Sequence, residues 1–484
     1  MKTAMKRTDL WIGGQWVPAS QVVTLKSPFS GEAIAEIGYA SPHQVKLAIE
    51  NSHQAYQSFR KMAAHQRADI LTRAANLLLE RADEAVRIMA LEAGKPVKTA
   101  RGELSRTVQT YQFAAEAAKQ LSGETIPMDA APRGENHIAF TQRRPLGVVS
   151  AITPFNFPFN LVAHKVGPAI AAGNTMVLKP AEQTPLSALF LAELFEEAGL
   201  PPGVLNIVPG YGHELSEALT THPDVQFITF TGSPRVGRII RQQAGLRRVT
   251  LELGSNSPLL VDNGLNDAEL NKIALETAIG GFAYNGQACI SVQRVFVHEE
   301  VFETFTSLLA KHANQLKVGD PLEEDTDVSA LINDNAAERL ASWLKEALAA
   351  GAIIHAGGTM ENNVMRPTVV TGVPAEAALR CEEAFGPIVS VTPFHSWDEA
   401  IRLANDSKFG LHAGVFTKHI DRAWQAAEEL ESGGVLINQV PTFRLDHMPY
   451  GGVKESGIGR EGVKYALEDM TDLKVIGFRT GVFS

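Results

Sequence analysis

The 484-residue chain lacks most features that mark a special compartment or a macromolecular partner. It holds only two cysteines, Cys289 and Cys381. That argues against a disulfide framework and for a reducing compartment, so a cytoplasmic location is expected. No Cys/His cluster has zinc-ligand spacing, and no metal site is expected. No apolar run is long enough to span a bilayer, and the charged start lacks the apolar core of a signal peptide. Basic residues are not in excess. There are 44 Lys and Arg against 54 Asp and Glu, a formal charge of −10. This balance leaves no general electrostatic footprint for nucleic acid or for an anionic membrane. No internal repeat or low-complexity tract occurs.

What is present is ordinary globular composition, 45% hydrophobic and 20% charged. The length suggests about three domain-sized units. Helical spacing of Ile70, Leu71, Ala74, Leu77 and Leu78 predicts helices over 43–92, stopped at Gly94-Lys95-Pro96. A further helix is predicted over 101–121, a turn-rich stretch over 123–134 and an exposed strand over 137–144. From Leu146 onward strands and helices alternate, with strands at 148–152, 175–179, 204–208 and 225–230. Such alternation predicts a parallel α/β sheet. A second alternating region runs from Ser257 to about Asn438, and 433–459 reads as a long Gly- and Pro-rich functional loop.

Several motifs carry chemistry, each with a plain structural alternative. Cys289, in Gly286-Gln287-Ala288-Cys289, is expected near a helix start, where a thiol pKa falls; a small core residue is the alternative. Glu252 stands between Leu251 and Leu253. Desolvation there would raise its pKa and suit a general base, whereas an exposed strand end would make it inert. Asn156, in Pro154-Phe155-Asn156-Phe157-Pro158, follows a strand directly and offers an amide to an oxyanion; a rigid turn is the other reading. Gly232-Ser233 and Gly237 sit between a strand and a helix, where phosphate can approach backbone N–H groups, or where only a turn is needed. Lys179 and Glu182 could bracket sugar hydroxyls or form a surface ion pair.

Taken in order, these motifs resemble the aldehyde dehydrogenase superfamily over nearly the whole chain. So do Glu382-Glu383-Ala384-Phe385-Gly386-Pro387 and Met448-Pro449-Tyr450-Gly451-Gly452-Val453-Lys454. The resemblance implies roles. Cys289 would be the nucleophile, giving a thiohemiacetal and then a thioester. Asn156 and the Cys289 backbone N–H would hold the oxyanion, and Glu252 would activate water. Lys179, Glu182, Gly210, Gly232, Ser233, Gly237, Glu383 and Phe385 would bind the dinucleotide. Glu182 would repel a 2′-phosphate, which favours NAD while NADP stays possible. Cys381 falls at no nucleophile position. The chain departs from many relatives at Gly254-Ser255-Asn256, Phe155 and Ala288.

The segment Val440–Pro449, with Asn160, His164 and Lys165, resembles the lactaldehyde and glyceraldehyde-type branch, which includes phosphono- and sulfo-aldehyde enzymes. Arg444, Arg106 and Asn160 would meet a hydroxylated or anionic substrate at the tunnel mouth. The alternative is that the arginines pair with Asp446 or Glu103. The implied fold is α/β. A Rossmann-type cofactor domain spans 1–121 and 145–251, an α/β catalytic domain 252–437, and a small β oligomerisation element 122–144 and 471–484. Residues 438–470 form a loop and return segment. A homodimer or homotetramer is expected, with a small aldehyde as the only other partner. Two competing functions are a coenzyme A-acylating dehydrogenase and a catalytically inactive scaffold on the same fold.

Overall fold

The computed structural model describes residues 5–481. The extreme ends of the expected first and last segments, 1–4 and 482–484, lie outside the described residues. Two large sheets dominate the architecture. The first has eight strands, in the order Gly457–Ile458, Arg248–Glu252, Val225–Thr231, Val148–Ile152, Thr175–Lys179, Leu205–Ile207, Asp9–Ile12, Gln15–Pro18. The five central strands are parallel and the outer ones antiparallel. Every residue of Thr175–Lys179 is buried, as a strand covered on both faces requires. The chain leaves Val148–Ile152 toward one side of the sheet and returns at Val225–Thr231 on the other. Between these two strands lies a topological switch point, where the loops at their carboxyl ends diverge and open a crevice.

Helices Asn160–Ala172 and Pro185–Glu197 connect the first three of these parallel strands, and Gly212–Thr221 leads to the fourth. Helix Asn160–Ala172 is buried along its whole length. It packs between the sheet and helix Val97–Gln120, whose Tyr111 and Ala114 meet the face opened by Gly167. The second sheet has seven strands, in the order Ile353–Ala356, Thr368–Thr371, Ile388–Phe394, Arg294–His298, Pro258–Val261, His412–Phe416, Gly434–Ile437. All but the first are parallel to their neighbours.

A separate three-stranded sheet joins Thr125–Ile126, His137–Pro145 and Thr471–Arg479. Its strands expose Ile138, Phe140, Leu473, Val475 and Phe478. Among the described residues no helix is long and apolar enough to cross a membrane. No group of three His, Cys, Asp or Glu among them could hold a metal ion.

Candidate active site

A cleft of about 740 Å³ opens at the carboxyl ends of the first sheet's parallel strands and faces the second sheet. Asn156, Gly232, Ser233, Cys289, Glu383 and Phe385 all lie on its wall.

Cys289 does not begin a helix. Helix Asp267–Phe282 ends before it, and the turn Ala283–Gly286 follows, with Tyr284 and Asn285 at φ 48° and 60°. Gly286 also has positive φ, and a Cβ there would stand 2.3 Å from the Gly386 carbonyl oxygen. The loop is pinned by buried amides. Asn285 Nδ2 donates to the Ala330 carbonyl at 2.6 Å, and the Ile332 N–H donates to Gln287 Oε1 at 3.0 Å. The expected helix-terminus effect on the thiol is therefore missing, because the preceding helix presents its C-terminal end here. Burial instead pushes the Cys289 thiol up to about 11, against the Tyr450 hydroxyl at 2.7 Å and the Arg444 charge, which both favour the thiolate.

Asn156 follows strand Val148–Ile152 and is buried. Its Nδ2 donates to the Gln287 carbonyl at 3.0 Å, and its own carbonyl accepts from Lys95 Nζ at 2.6 Å. Lys95 is enclosed between the Phe157 and Tyr284 rings and ion-paired with Glu103. The other Glu103 oxygen accepts from the N–H groups of Phe159 and Asn160. One buried pair thus fixes both ends of the Asn156 loop.

Glu252 ends strand Arg248–Glu252 and is 2% exposed, so the exposed alternative fails. Neither carboxyl oxygen has a hydrogen-bond partner among the described residues. Burial, then the charge of Glu461, raises its pKa well above the ordinary carboxylate range. A Cβ at Gly451 would lie 2.9 Å from Glu252 Oε1, so only glycine leaves the carboxyl this space.

The remaining cofactor candidates divide. Ser233 caps helix Pro234–Gln243 by accepting from the Val236 N–H, so the helix N-terminus opens on the cleft. Glu383 Oε1 accepts from the Ser255 N–H at 2.8 Å, and burial raises its pKa to about 7. Phe385 meets Phe155 edge to face, with centroids 5.7 Å apart. Lys179 and Glu182 form no ion pair. Lys179 Nζ donates to the Pro180 carbonyl at 3.0 Å, and Glu182 Oε1 accepts from the Gly212 N–H at 2.8 Å. Gly210 and Gly237 do not line the cleft. A Cβ at Gly210 would meet Leu215, and one at Gly237 would meet Leu253, both at 2.6 Å. Their bareness serves packing behind the wall.

The two arginines differ in depth: the Arg444 side chain is almost enclosed, whereas that of Arg106 is half-buried. Arg106 pairs bidentately with Asp446, Nε to Oδ2 at 3.1 Å and Nη2 to Oδ1 at 2.8 Å. Asn160 and His164 also reach Asp446 Oδ1, at 3.0 and 2.9 Å. Arg444 pairs with neither Asp446 nor Glu103. Its Nη2 meets Glu461 Oε2 at 3.3 Å and His164 Nε2 at 3.2 Å, while its Nε has no partner among the described residues. Glu461 also takes Lys165 Nζ at 2.7 Å. Sequence reasoning assigned no role to Tyr450, Glu461 or Lys95. Tyr450 stood inside a quoted motif, Lys95 in a helix stop, and Glu461 carried no local signal.

The cleft suits an extended dinucleotide. The N-terminus of helix Pro234–Gln243, Glu383 and Phe385 line it together with Cys289, and Lys179 and Glu182 flank Gly212 outside this wall. The model of the aldehyde dehydrogenase family matches residues 16–476. A 3-sulfolactaldehyde dehydrogenase of Priestia aryabhattai is 44% identical over 474 residues, covering 98% of each chain. A lactaldehyde dehydrogenase of Methanococcus aeolicus is 37% identical over 96% of this chain and 99% of its own. Among solved structures, aldehyde dehydrogenase 21 of Physcomitrella patens, in complex with the reaction product succinate, superposes with a TM-score of 0.96. It is 37% identical and covers 99% of this chain and 100% of its own. The NADP-dependent glyceraldehyde-3-phosphate dehydrogenase of Bacillus halodurans, complexed with NADP, gives 0.94 at 36% identity, over 98% and 99%. The chain belongs to the aldehyde dehydrogenase family and is an NAD(P)-dependent aldehyde dehydrogenase.

Proposed function

We propose that the protein oxidises a small hydroxylated aldehyde bearing an anionic group, of the 3-sulfolactaldehyde kind, to its carboxylic acid. The supporting observation is that Cys289 and Asn156 share one cleft wall, while the buried Glu252 carboxyl lies close enough for its charge to act on the Cys289 thiol. Cys289 as thiolate forms a C–S bond to the aldehyde carbon. The resulting alkoxide is held by the Asn156 amide and the Cys289 backbone N–H. When bound, the dinucleotide supplies the hydride acceptor that turns the thiohemiacetal into a thioester. Glu252 takes a proton from water, which attacks the thioester, and the C–S electron pair returns to sulfur. A buried base beside the thiol favours water over coenzyme A as acceptor and favours an enzyme over an inactive scaffold.

The charges behind Cys289 support the anionic class. Arg106, Lys165 and Arg444 face two carboxylates, Asp446 and Glu461, a formal surplus of one cation. The unpartnered Nε–H of Arg444 gives an anion a donor, and Asn160 lies in the same network.

For the dinucleotide, Lys179 and Glu182 would hold the adenosine ribose, the Gly232-Ser233 turn the pyrophosphate, and Glu383 and Phe385 the nicotinamide end. Glu182 favours NAD over NADP. In this reading 1–121 with 145–251 binds cofactor, and 252–437 carries the nucleophile. The apolar face of the three-stranded sheet of Thr125–Ile126, His137–Pro145 and Thr471–Arg479 seats a second copy in a homodimer or homotetramer. A catalytic thiol suits the reducing cytoplasm.

A panel of lactaldehyde, glycolaldehyde, glyceraldehyde, succinic semialdehyde and phosphono- and sulfo-aldehydes, each with NAD and NADP, tests the reading. The anionic members are expected to show the higher kcat/KM. Preference for the neutral hydroxyaldehydes would return Arg106 and Arg444 to a purely structural role.

A further inference from the structure

Tyr450 is buried against the nucleophile. Its Oη stands 2.7 Å from Cys289 Sγ. The ring is clamped. The Arg444 guanidinium lies over one face, 3.6 Å from the centroid, and the His412 ring meets it at 5.1 Å in an edge arrangement. His412 is itself held by a 3.0 Å contact from Nδ1 to the Pro441 carbonyl oxygen. A phenol held this firmly loses little freedom when it makes a directed bond.

We propose that the Tyr450 hydroxyl is a catalytic hydrogen-bond donor to the Cys289 sulfur, with Arg444 fixing the ring and strengthening the donor by its charge. The inference rests on the reading of Cys289 as nucleophile. A thiol can donate to or accept from a phenol, whereas a thiolate can only accept. The O–H to S⁻ bond is charge-assisted, so its presence favours the thiolate. The other charges facing Cys289 are divided: Arg444 favours ionisation, while Glu383 and Glu252 oppose it. Tyr450 is not the acceptor of the thiol proton, because burial keeps its own pKa well above 10 and so keeps the phenol protonated. The same donor acts twice per turnover. It holds the thiolate before the C–S bond forms, and it receives the sulfur when hydrolysis breaks that bond and the electron pair returns to Sγ.

The test measures iodoacetamide alkylation of Cys289 from neutral to alkaline pH, read by peptide mass so that Cys381 does not contribute. The wild type is compared with Tyr450→Phe, which keeps the ring between Arg444 and His412. The variant's midpoint is expected about one pH unit higher, with alkylation at neutral pH about tenfold slower and dinucleotide affinity unchanged. A ring-fluorinated tyrosine at position 450 keeps the shape and sharpens the donor, and should move the midpoint the other way. An unmoved midpoint in both, or a downward shift in Tyr450→Phe, overturns the proposal. Failure of the nucleophile reading would look different: complete alkylation at Cys289 would leave aldehyde oxidation intact.

Discussion

Asn156 Nδ2 donates to the Gln287 carbonyl at 3.0 Å and so ties the loop after the first sheet's central strand to the loop that carries Cys289. The two residues lie 131 positions apart. One amide therefore sets where the nucleophile's loop rests, and in the proposed reaction it would also donate to the reacting carbonyl. Asn156→Ala should lower kcat by about 10²- to 10³-fold. Dinucleotide affinity should hold, because Asn156 has no part in the Ser233 or Glu383 contacts. Steady-state kinetics with fluorescence titration of the dinucleotide would check both, and a kcat within a few-fold of wild type would remove the oxyanion role.

Glu252 is buried with both oxygens unpartnered, so its chemistry depends on a proton it can take. Glu252→Gln keeps the shape and loses the base. One equivalent of reduced dinucleotide should form in a burst, followed by a steady rate about 10²- to 10⁴-fold slower. The raised pKa also sets a pH sign. The carboxylate is the active form, so wild-type thioester hydrolysis should climb as pH rises through that elevated value, while the variant's residual rate lacks this rise. Stopped-flow absorbance across pH reads both effects.

Glu182 has one oxygen on the Gly212 N–H, and Lys179 lies near the same glycine. A 2′-phosphate there would meet the carboxylate charge. Glu182→Ser should raise the ratio of kcat/KM for NADP to that for NAD by about tenfold, on the order of 1.4 kcal/mol. An unchanged ratio would place the 2′ position elsewhere in the cleft.

Much of this was legible because it is local. Apolar runs marked Val148–Ile152 and Thr175–Lys179, and a carboxylate between Leu251 and Leu253 raised the buried-acid reading beside the exposed one. The cleft-facing Gly232-Ser233 turn was readable as a strand-to-helix junction, although the capping role of Ser233 was not. What escaped is what the chain assembles from distant parts. Tyr450 reaches Cys289 across 161 positions, and Lys165 reaches Glu461 across 296. No local pattern reports such a meeting. The small residues around Cys289 suggested a helix start, yet Tyr284 and Asn285 in left-handed conformations break the chain just after a helix ends. Gly237 showed the limit of reading glycine as phosphate access, because it is bare to admit Leu253.

Asp446 gathers Arg106, Asn160 and His164 on one buried carboxyl, and these bonds outweigh the burial that opposes ionisation, holding its pKa well below the usual carboxylate range. A depressed folded pKa stabilises the fold above the unfolded value and loses that effect as pH falls through the folded one. Asp446→Asn should therefore cost about 3 kcal/mol at neutral pH, because it leaves the Arg106 charge without its partner. The deficit should persist unchanged down to about pH 4 and close progressively below that, because the unfolded wild-type chain then takes up a proton that the folded carboxyl still refuses. Denaturant unfolding at several pH values would show it as a gap in midpoint that narrows in acid. A gap that instead widened as pH fell from neutral to about 4 and then stayed level would mean that Asp446 is protonated in the native fold at neutral pH, and that Arg106 and His164 are held by something other than its charge.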